Sequence, residues 1–197
     1  MCQEKGVETL KIVCIGNSIV NGFPLKRSQC FVSLWREASG HEIINKGENG
    51  DVSSNIVLRF QRDVVAHKPS AAVVLTGTND FIYQLETPQG VLAYMNEMVL
   101  IARANAIEPI LMTPLLTSPL MASKLWLPDI DYAEVNHKLM SLRSRLLEYG
   151  EKNNVRIIDV QAKFAALYSE ENPYEYLIDG LHPTVEGHLA IAGFFSF

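Results

Sequence analysis

Short apolar runs alternate with helix-like stretches along this sequence, and the alternation constrains the fold more than any other feature. The runs that have the length of β-strands span residues 10–15, 42–45, 71–75, 108–112 and 155–160. The first and third runs lack polar alternation, which is typical of strands buried on both faces. Strands joined through helices pair in parallel with right-handed crossovers. The sequence therefore predicts an α/β fold, a three-layer α/β/α arrangement around a five-stranded parallel sheet.

The stretches between the strands show helical spacing of apolar residues. Helices are predicted over residues 28–38, 53–67, 87–104, 131–152, 161–168 and 184–195. Pro88 stands at a favourable first-turn position of its helix. Residues 114–130 interrupt the alternation with three prolines. A flavodoxin-like strand order, 2-1-3-4-5, is expected because it makes the first strand central.

The bulk composition is that of one globular domain spanning residues 1–197. Hydrophobic residues make up 48% of the chain and charged residues 20%, which is not the bias of a disordered protein. The net charge of −5 and the lack of a basic run argue against nucleic-acid binding, since phosphate contacts need clustered Lys and Arg. The three cysteines are odd in number and lack metal-ligand spacing, so no metal site is expected from them.

Membrane insertion is not expected, since no apolar stretch approaches the ~20 residues of a spanning helix. Residues 1–9 are polar and show no signal peptide. The sequence therefore predicts a cytoplasmic protein, and it leaves the oligomeric state open.

A serine stands directly after the first strand, in the turn Gly16-Asn17-Ser18-Ile19. The carboxyl edge of an open α/β sheet is where such folds bind ligands. A single serine there is usually a helix cap or a turn residue. Three later segments carry possible partner side chains, and these segments span residues 49–51, 77–80 and 179–183.

In order and residue type, these four segments resemble the conserved blocks of the SGNH hydrolases, also called the GDSL esterase/lipase family. The Ser, Gly, Asn and His that name the family fall on Ser18, Gly50, Asn79 and His182. The resemblance covers nearly the whole chain, and it implies the same three-layer fold and the hydrolysis of carboxylic esters. The family usually has Gly-Asp-Ser-Leu around its nucleophile. Asn17 departs from that pattern, which leaves the hydrogen bonding of the turn open and Ser18 in place.

A serine hydroxyl becomes an effective nucleophile when a base accepts its proton during attack. His182 is the candidate base, because imidazole titrates near neutral pH. Asp179 lies three residues earlier in the same loop and can hold the tautomer of the ring. The family resemblance implies an oxyanion hole formed by the backbone N–H of Ser18, the backbone N–H of Gly50 and the side-chain amide of Asn79. The plainer alternatives are a turn glycine at position 50 and a helix cap at position 79.

Two other functions stay open beside the favoured one. Asp, Asn and His also bind metals, so metal-dependent phosphoester hydrolysis is one alternative, weakened by the presence of a single His in the cluster. A non-catalytic flavodoxin-like binding module is the other, although no Gly-rich phosphate loop follows the first strand. The favoured interpretation is a serine ester hydrolase that acts on a small-molecule ester through an acyl-enzyme, with no cofactor and no metal.

Apolar residues near the candidate site predict a substrate pocket, and they are Phe23, Ile82, Tyr83, Met121 and Trp126. The segment 114–130 is either a lid over this pocket or ordinary packing at the sheet edge. Asp51 and Asp80 adjoin site residues and are expected to brace their loops. Short-chain esters, lysophospholipids, thioesters and acetylated sugars are all open as substrates.

Overall fold

The structure, a computed structural model, describes residues 9–167 and 175–195. Its sheet consists of the parallel strands β1 (Lys11–Gly16), β2 (Glu42–Gly47), β3 (Ala71–Leu75), β4 (Glu108–Met112) and β5 (Arg156–Ile158). Their order is β2-β1-β3-β4-β5, which confirms the predicted flavodoxin-like order. The N-terminal residues 1–8, expected to be polar and without signal features, lie outside the described residues, as does position 168, the predicted end of a helix.

Helices cover both faces of the sheet and confirm the predicted three layers. They are α1 (Ser18–Asn21), α2 (Phe31–Ser39), α3 (Ser53–Asp63), α4 (Thr78–Ile82), α5 (Pro88–Ala104), α6 (Pro119–Leu125), α7 (Tyr132–Asn153), α8 (Val160–Ala165) and α9 (Val185–Ala192). Helices α3, α5 and α7 pack on one face, and α2, α8 and α9 pack on the other. No helix in the described part of the chain has both the length and the apolar character needed to cross a bilayer.

Strand β1 divides its side chains between two cores. Val13 and Ile15 pack into the core under α3, α5 and α7, whereas Ile12 and Cys14 pack into the core under α2 and α9. All four side chains are fully buried. The alternation follows from the pleat, which points successive side chains to opposite faces. An unbroken apolar run is therefore what a strand between two helix layers requires.

Several element boundaries differ by a few residues from the predicted ones. Helix α3 begins at Ser53 as predicted but ends at Asp63 and not at residue 67. Ser53 is fully buried and bonded to Asp80. Strand β5 was predicted to continue to residue 160 but ends at Ile158. The next residue, Asp159, caps α8 by accepting a backbone N–H at 3.3 Å.

The segment 114–130 contains helix α6, which the sequence did not predict. Its three prolines suggested irregular structure, but Pro119 occupies the first turn of the helix, where proline is tolerated. Met121 and Ala122 of α6 are buried, whereas Leu120 is exposed. The segment therefore packs over the sheet edge through one face of a short helix.

His188 on α9 is a fully buried histidine that is not among the predicted site residues. Its Nδ1 accepts the backbone N–H of Phe31 at 3.2 Å, and the Phe31 ring stacks on the imidazole. Burial lowers the pKa of His188 to about 4, with a smaller contribution from the charge of His182. The neutral ring is thus the form that the core accommodates.

This histidine predicts a loss of stability in mild acid. In the unfolded chain His188 binds a proton below its ordinary pKa of 6.5. In the folded chain it binds that proton only near pH 4. The free energy of unfolding should therefore fall by up to about 3 kcal/mol from this group between pH 7 and pH 4. His188→Asn, which keeps an acceptor without titrating, should remove this part of the pH dependence in urea unfolding.

The exposed His137 on α7 provides the matched control for this measurement. His137→Asn controls for the replacement of a histidine by asparagine at an exposed position. A His188→Asn variant with the same acid slope as the wild type would contradict the assignment.

Candidate active site

Ser18 lies at the start of α1, directly behind the carboxyl end of β1. Gly16 pairs with Leu75 of β3, and a Cβ on Gly16 would lie 2.3 Å from the Leu75 carbonyl oxygen. The close approach of the two strands therefore requires glycine. Asn17 caps α1, because its Oδ1 accepts the backbone N–H of Ile19 at 3.2 Å. The asparagine that departs from the usual pattern thus still holds the serine at the start of a helix.

The loop of residues 179–183 presents Asp179 and His182 to the serine. Asp179 Oδ1 accepts the backbone N–H groups of Leu181 at 3.0 Å and of His182 at 2.9 Å, which closes a tight turn. Gly180 has a φ of +87°, and a Cβ there would lie 2.5 Å from the backbone N of Ala122 in α6. The loop lies directly against α6 and depends on glycine at this position.

A continuous chain of hydrogen bonds joins the three predicted catalytic side chains. His182 Nδ1 lies 2.7 Å from Asp179 Oδ2, and His182 Nε2 lies 3.0 Å from Ser18 Oγ. Because a carboxylate can only accept, Nδ1–H donates to Asp179. The neutral ring then offers Nε2 as the acceptor for the Ser18 hydroxyl. This is the geometry of a nucleophile, a base and a group that orients the base.

Opposing effects act on the pKa of the Asp179 carboxyl. Burial alone would raise its pKa, but the hydrogen bond and charge of His182, together with the backbone N–H groups of His182 and Leu181, lower the pKa below its ordinary value. The carboxyl therefore stays ionised next to the ring. Its negative charge can stabilise the imidazolium that forms when the ring accepts a proton.

Gly50 and Asn79 lie around the same cavity as the serine and the histidine. Gly50 has a φ of +76°, in the left-handed region that favours glycine. Asn79 is inside α4, whose N-cap is Gly77, so the interpretation of Asn79 as a helix cap is wrong. Its Nδ2 donates to the backbone carbonyl of Asp51 at 2.9 Å. An amide carries two hydrogens, so a second one can serve a ligand.

The cavity beside Ser18 has a volume of about 80 Å³. The predicted pocket residues Phe23, Tyr83 and Trp126 line it, together with Asn49 and Leu181, which the sequence did not single out. The predictions for Ile82 and Met121 are corrected. Ile82 is buried in the core under α5 and α7, and Met121 is buried in the opposite core. Each belongs to a short helix that turns this side chain inward, away from the cavity.

Two aromatic rings flank the imidazole of His182. The ring centroid of Phe23 lies 5.0 Å from that of His182, and the Trp126 centroid lies 4.9 Å from it, both in edge-on geometry. Phe23 and Trp126 also contact each other, with centroids 6.0 Å apart. These contacts fix the ring plane of His182 and cover the ring from solvent.

Asp51 and Asp80 brace the loops around the cavity, as predicted. Asp80 accepts the backbone N–H of Ser53 at 3.0 Å and the Ser53 hydroxyl at 3.1 Å. Burial raises the pKa of Asp80, and the hydrogen bonds from Ser53 oppose that shift. Asp51 pairs with Arg59 of α3, with Arg59 Nε 2.7 Å from Asp51 Oδ2.

Sequence reasoning missed Arg59, although a signal was present. Arg59 and Asp63 are spaced four residues apart and fall on the same face of α3 as the buried residues Ile56 and Phe60. A charged pair on an apolar helix face indicates a buried ion pair rather than a solvated one.

Neither alternative function gains support from this arrangement. Within residues 9–167 and 175–195, no group of three or more His, Cys, Asp or Glu side chains is placed to hold a metal ion. The donor set thus gives no basis for a metal-dependent phosphoesterase. A hydrogen-bonded serine, histidine and aspartate beside a cavity is likewise not what a passive binding module needs.

Known proteins resemble this chain in sequence and in fold. The model of the GDSL-like lipase/acylhydrolase family matches residues 14–190. An acetylxylan esterase of Geobacillus stearothermophilus is 27% identical over 169 residues, which are 78% of this chain and 69% of that protein. An uncharacterized lipoprotein of Bacillus subtilis is 29% identical over 127 residues, 57% of this chain and 50% of that protein. The solved structure of a GDSL-like lipase from Bacteroides thetaiotaomicron shares the fold, with a TM-score of 0.76, 24% identity, and coverage of 93% of this chain and 84% of that chain.

The contact between Gly180 and α6 yields a prediction with an internal control. Gly180→Ala would combine a left-handed φ with a clash against Ala122, whereas Gly40→Ala has a similar φ of +70° and open space around its Cβ. Gly40→Ala should lose about 1–2 kcal/mol of unfolding free energy from backbone strain alone. Gly180→Ala should lose more in denaturant unfolding, and it should also lose ester turnover because Asp179 and His182 move with the loop. Equal stability and full activity in both variants would show that the loop tolerates displacement.

Proposed function

This chain belongs to the GDSL-like lipase/acylhydrolase family, and we propose that it removes small acyl groups, acetyl above all, from hydroxyl groups of carbohydrates. The chain is a carboxylic ester hydrolase of the serine type. The proposal concerns which ester it cleaves and which residues carry the reaction.

The proposal that the acyl group is small rests on the size of the cavity. About 80 Å³ of space lies beside Ser18, against the ~300–1,000 Å³ of pockets that hold drug-sized ligands. At ~10–15 Å³ of such space for one water, this cavity suits a group of a few heavy atoms. Phe23, Trp126 and Leu181 give it apolar walls. An acetyl group fits these dimensions, whereas a long acyl chain needs the walls to move.

The residues at the rim of the cavity favour a carbohydrate as the alcohol part of the ester substrate. Tyr83 is 49% exposed and Trp126 is 38% exposed, and both line the cavity. Exposed aromatic rings pack against the apolar faces of sugar rings and present polar edges to water. Asn49 adds an amide for hydroxyl groups. The Geobacillus relative is named for the deacetylation of xylan, which supports the same substrate class.

The proposed mechanism begins with attack by Ser18 Oγ on the ester carbonyl carbon. His182 Nε2 takes the hydroxyl proton, and Asp179 stabilises the imidazolium that results. The negative oxygen of the tetrahedral intermediate receives hydrogen bonds from the backbone N–H groups of Ser18 and Gly50 and from the Asn79 amide. His182 then protonates the leaving alcohol, and the acyl group stays on Ser18.

Water completes the cycle by the same steps. His182 takes a proton from a water molecule that attacks the acyl-enzyme carbonyl carbon. A second tetrahedral intermediate forms in the same oxyanion hole. Its collapse releases the carboxylic acid and returns the proton to Ser18 Oγ, which restores the starting state.

The oxyanion role of Asn79 is tested by separating turnover from binding. Asn79→Ala should lower kcat by about 10²–10³ with little change in KM, because the amide bonds more strongly to the charged intermediate than to the substrate. Asn105→Ala is the matched control, since Asn105 also donates its amide to a backbone carbonyl, at 2.8 Å, but lies away from the cavity. Its kcat should equal that of the wild type, and Ser18→Ala gives the background rate. Retained turnover in Asn79→Ala would remove Asn79 from the oxyanion hole.

The acyl preference is tested with nitrophenyl esters of increasing chain length. The wild-type kcat/KM should be highest for acetate and fall steeply towards octanoate. Trp126→Ala enlarges the cavity and should raise the ratio of hexanoate to acetate turnover at least ~10-fold, a change typical of a removed steric wall. Leu127→Ala, which is also 38% exposed but does not line the cavity, should keep the wild-type ratio. A wild-type preference for octanoate would contradict the proposal.

The preference for the alcohol part of the ester is tested by adding acetylated xylobiose to the same panel. Tyr83→Ala should raise KM for the acetylated sugar and leave KM for nitrophenyl acetate unchanged. Equal effects on both substrates would argue for a general packing role of Tyr83 and against a sugar-binding rim.

A cytoplasmic location is also part of the proposal. Cys14 and Cys30 are buried and free, which agrees with a reducing compartment and supports this location. The Bacillus relative is named a lipoprotein, which speaks for a different location of that protein. Cell fractionation with an antibody against the chain tests this location, and recovery of the chain in the membrane or extracellular fraction would contradict it.

A further inference from the structure

The guanidinium of Arg59 joins three backbone segments at the edge of the sheet. Arg59 is only 8% exposed, although it carries a charge. Its Nη2 donates to the carbonyl of Gly16 at 3.0 Å, and its Nη1 donates to the carbonyl of Lys46 at 2.9 Å. Its Nε donates to Asp51 Oδ2 at 2.7 Å. One side chain on α3 therefore binds the ends of β1 and β2 and the loop that follows β2.

These three contacts lie next to the proposed oxyanion donors. Gly16 lies two residues before Ser18, and Asp51 directly follows Gly50. The backbone carbonyl of Asp51 in turn accepts the Asn79 amide at 2.9 Å. Every proposed donor is thus connected to the guanidinium through short, rigid pieces of chain.

The charges around Arg59 favour a fixed position of its guanidinium. Asp63 Oδ2 lies 3.0 Å from Arg59 Nη1, so two buried carboxylates face one buried cation. A buried charge is tolerated when it is paired and its hydrogen bonds are satisfied. A planar guanidinium meets carbonyls and carboxylates in several fixed directions at once, which a lysine ammonium on a flexible stem does not.

We propose that Arg59 is a positioning residue that sets the distance between the Ser18 turn and the Gly50 loop, and so the shape of the oxyanion hole. The inference rests on the proposed oxyanion role of Gly50 and Asn79. Arg59 does not line the cavity, so it acts only through these segments and touches no substrate. A shift of the donors by a fraction of an ångström weakens bonds to the intermediate while leaving substrate contacts in place.

The test replaces Arg59 with lysine and compares it with a neighbour. Arg59→Lys should lower kcat for nitrophenyl acetate by about 10–10² with KM within about threefold of wild type. Arg62→Lys is the matched control, because Arg62 is on the same helix, has a 70% exposed side chain and also pairs with Asp63. Its kcat should stay within about twofold of the wild type, as surface ion pairs contribute little. A wild-type kcat in folded Arg59→Lys overturns the proposal.

A double-mutant cycle distinguishes positioning of the oxyanion hole from general damage. If Arg59 acts through the donors, the loss caused by Arg59→Lys should be smaller when Asn79→Ala is already present, because the Asn79 amide binds the Asp51 carbonyl of the loop that Arg59 holds. An unchanged loss in both backgrounds overturns the proposal for Arg59 while leaving the oxyanion role of Asn79 intact. If Asn79→Ala alone keeps full turnover, the proposed oxyanion hole fails, and the inference about Arg59 fails with it.

A second variant keeps the test decisive if Arg59→Lys does not fold. Asp51→Asn can retain an acceptor oxygen for Arg59, but it removes the charge and replaces the second oxygen, which accepts the backbone N–H of Val52 at 3.2 Å, with an amide NH2. It should lower kcat several-fold at unchanged KM, and this loss should also shrink in the Asn79→Ala background. Near-ultraviolet circular dichroism establishes folding. A folded Asp51→Asn with wild-type kcat overturns the proposal.

Discussion

The parallel pairing of β1 with a neighbour on each side is the constraint on which the rest of the structure depends. Parallel strands point the same way, so the chain leaves each of them at the same edge of the sheet. Ser18 follows β1, the segment with Gly50 follows β2, and Asn79 follows β3. Because β2 and β3 lie on opposite sides of β1, their loops flank the serine. The site therefore assembles from short turns whose positions the sheet already determines.

Much of this arrangement could be predicted because it depends on local patterns. Runs such as 71–75 are apolar without interruption, since a strand between two helix layers has no solvent face. The residues of the four site segments could be named because their residue types resemble the conserved blocks of a known family. Their order along the chain agrees with the family to which the chain belongs.

The remaining features depend on contacts between distant parts of the chain. The spacing of Arg59 and Asp63 on α3 indicates a buried ion pair, but no local pattern shows that the carbonyls of Gly16 and Lys46 both bind Arg59. Helix α6 has two turns at most, too few for a hydrophobic period to become visible among three prolines. Ile82 and Tyr83 are adjacent in sequence, yet one enters the core and the other the cavity. The direction of a side chain at the end of a short helix is decided by its packing partners.

The narrowness of the cavity has a consequence for the order of events during a reaction cycle. Phe23 and Trp126 cover the flanks of His182, so the ring meets incoming molecules on the side that faces Ser18. In the proposed mechanism, His182 Nε2 protonates the departing alcohol and then takes the proton of the hydrolytic water, so the two molecules need the same place beside the acyl group in turn. The alcohol must therefore diffuse away before water enters. During that interval the acyl-enzyme is a common intermediate from which any small alcohol competes with water, so the partition between hydrolysis and acyl transfer is set by occupancy of one narrow space.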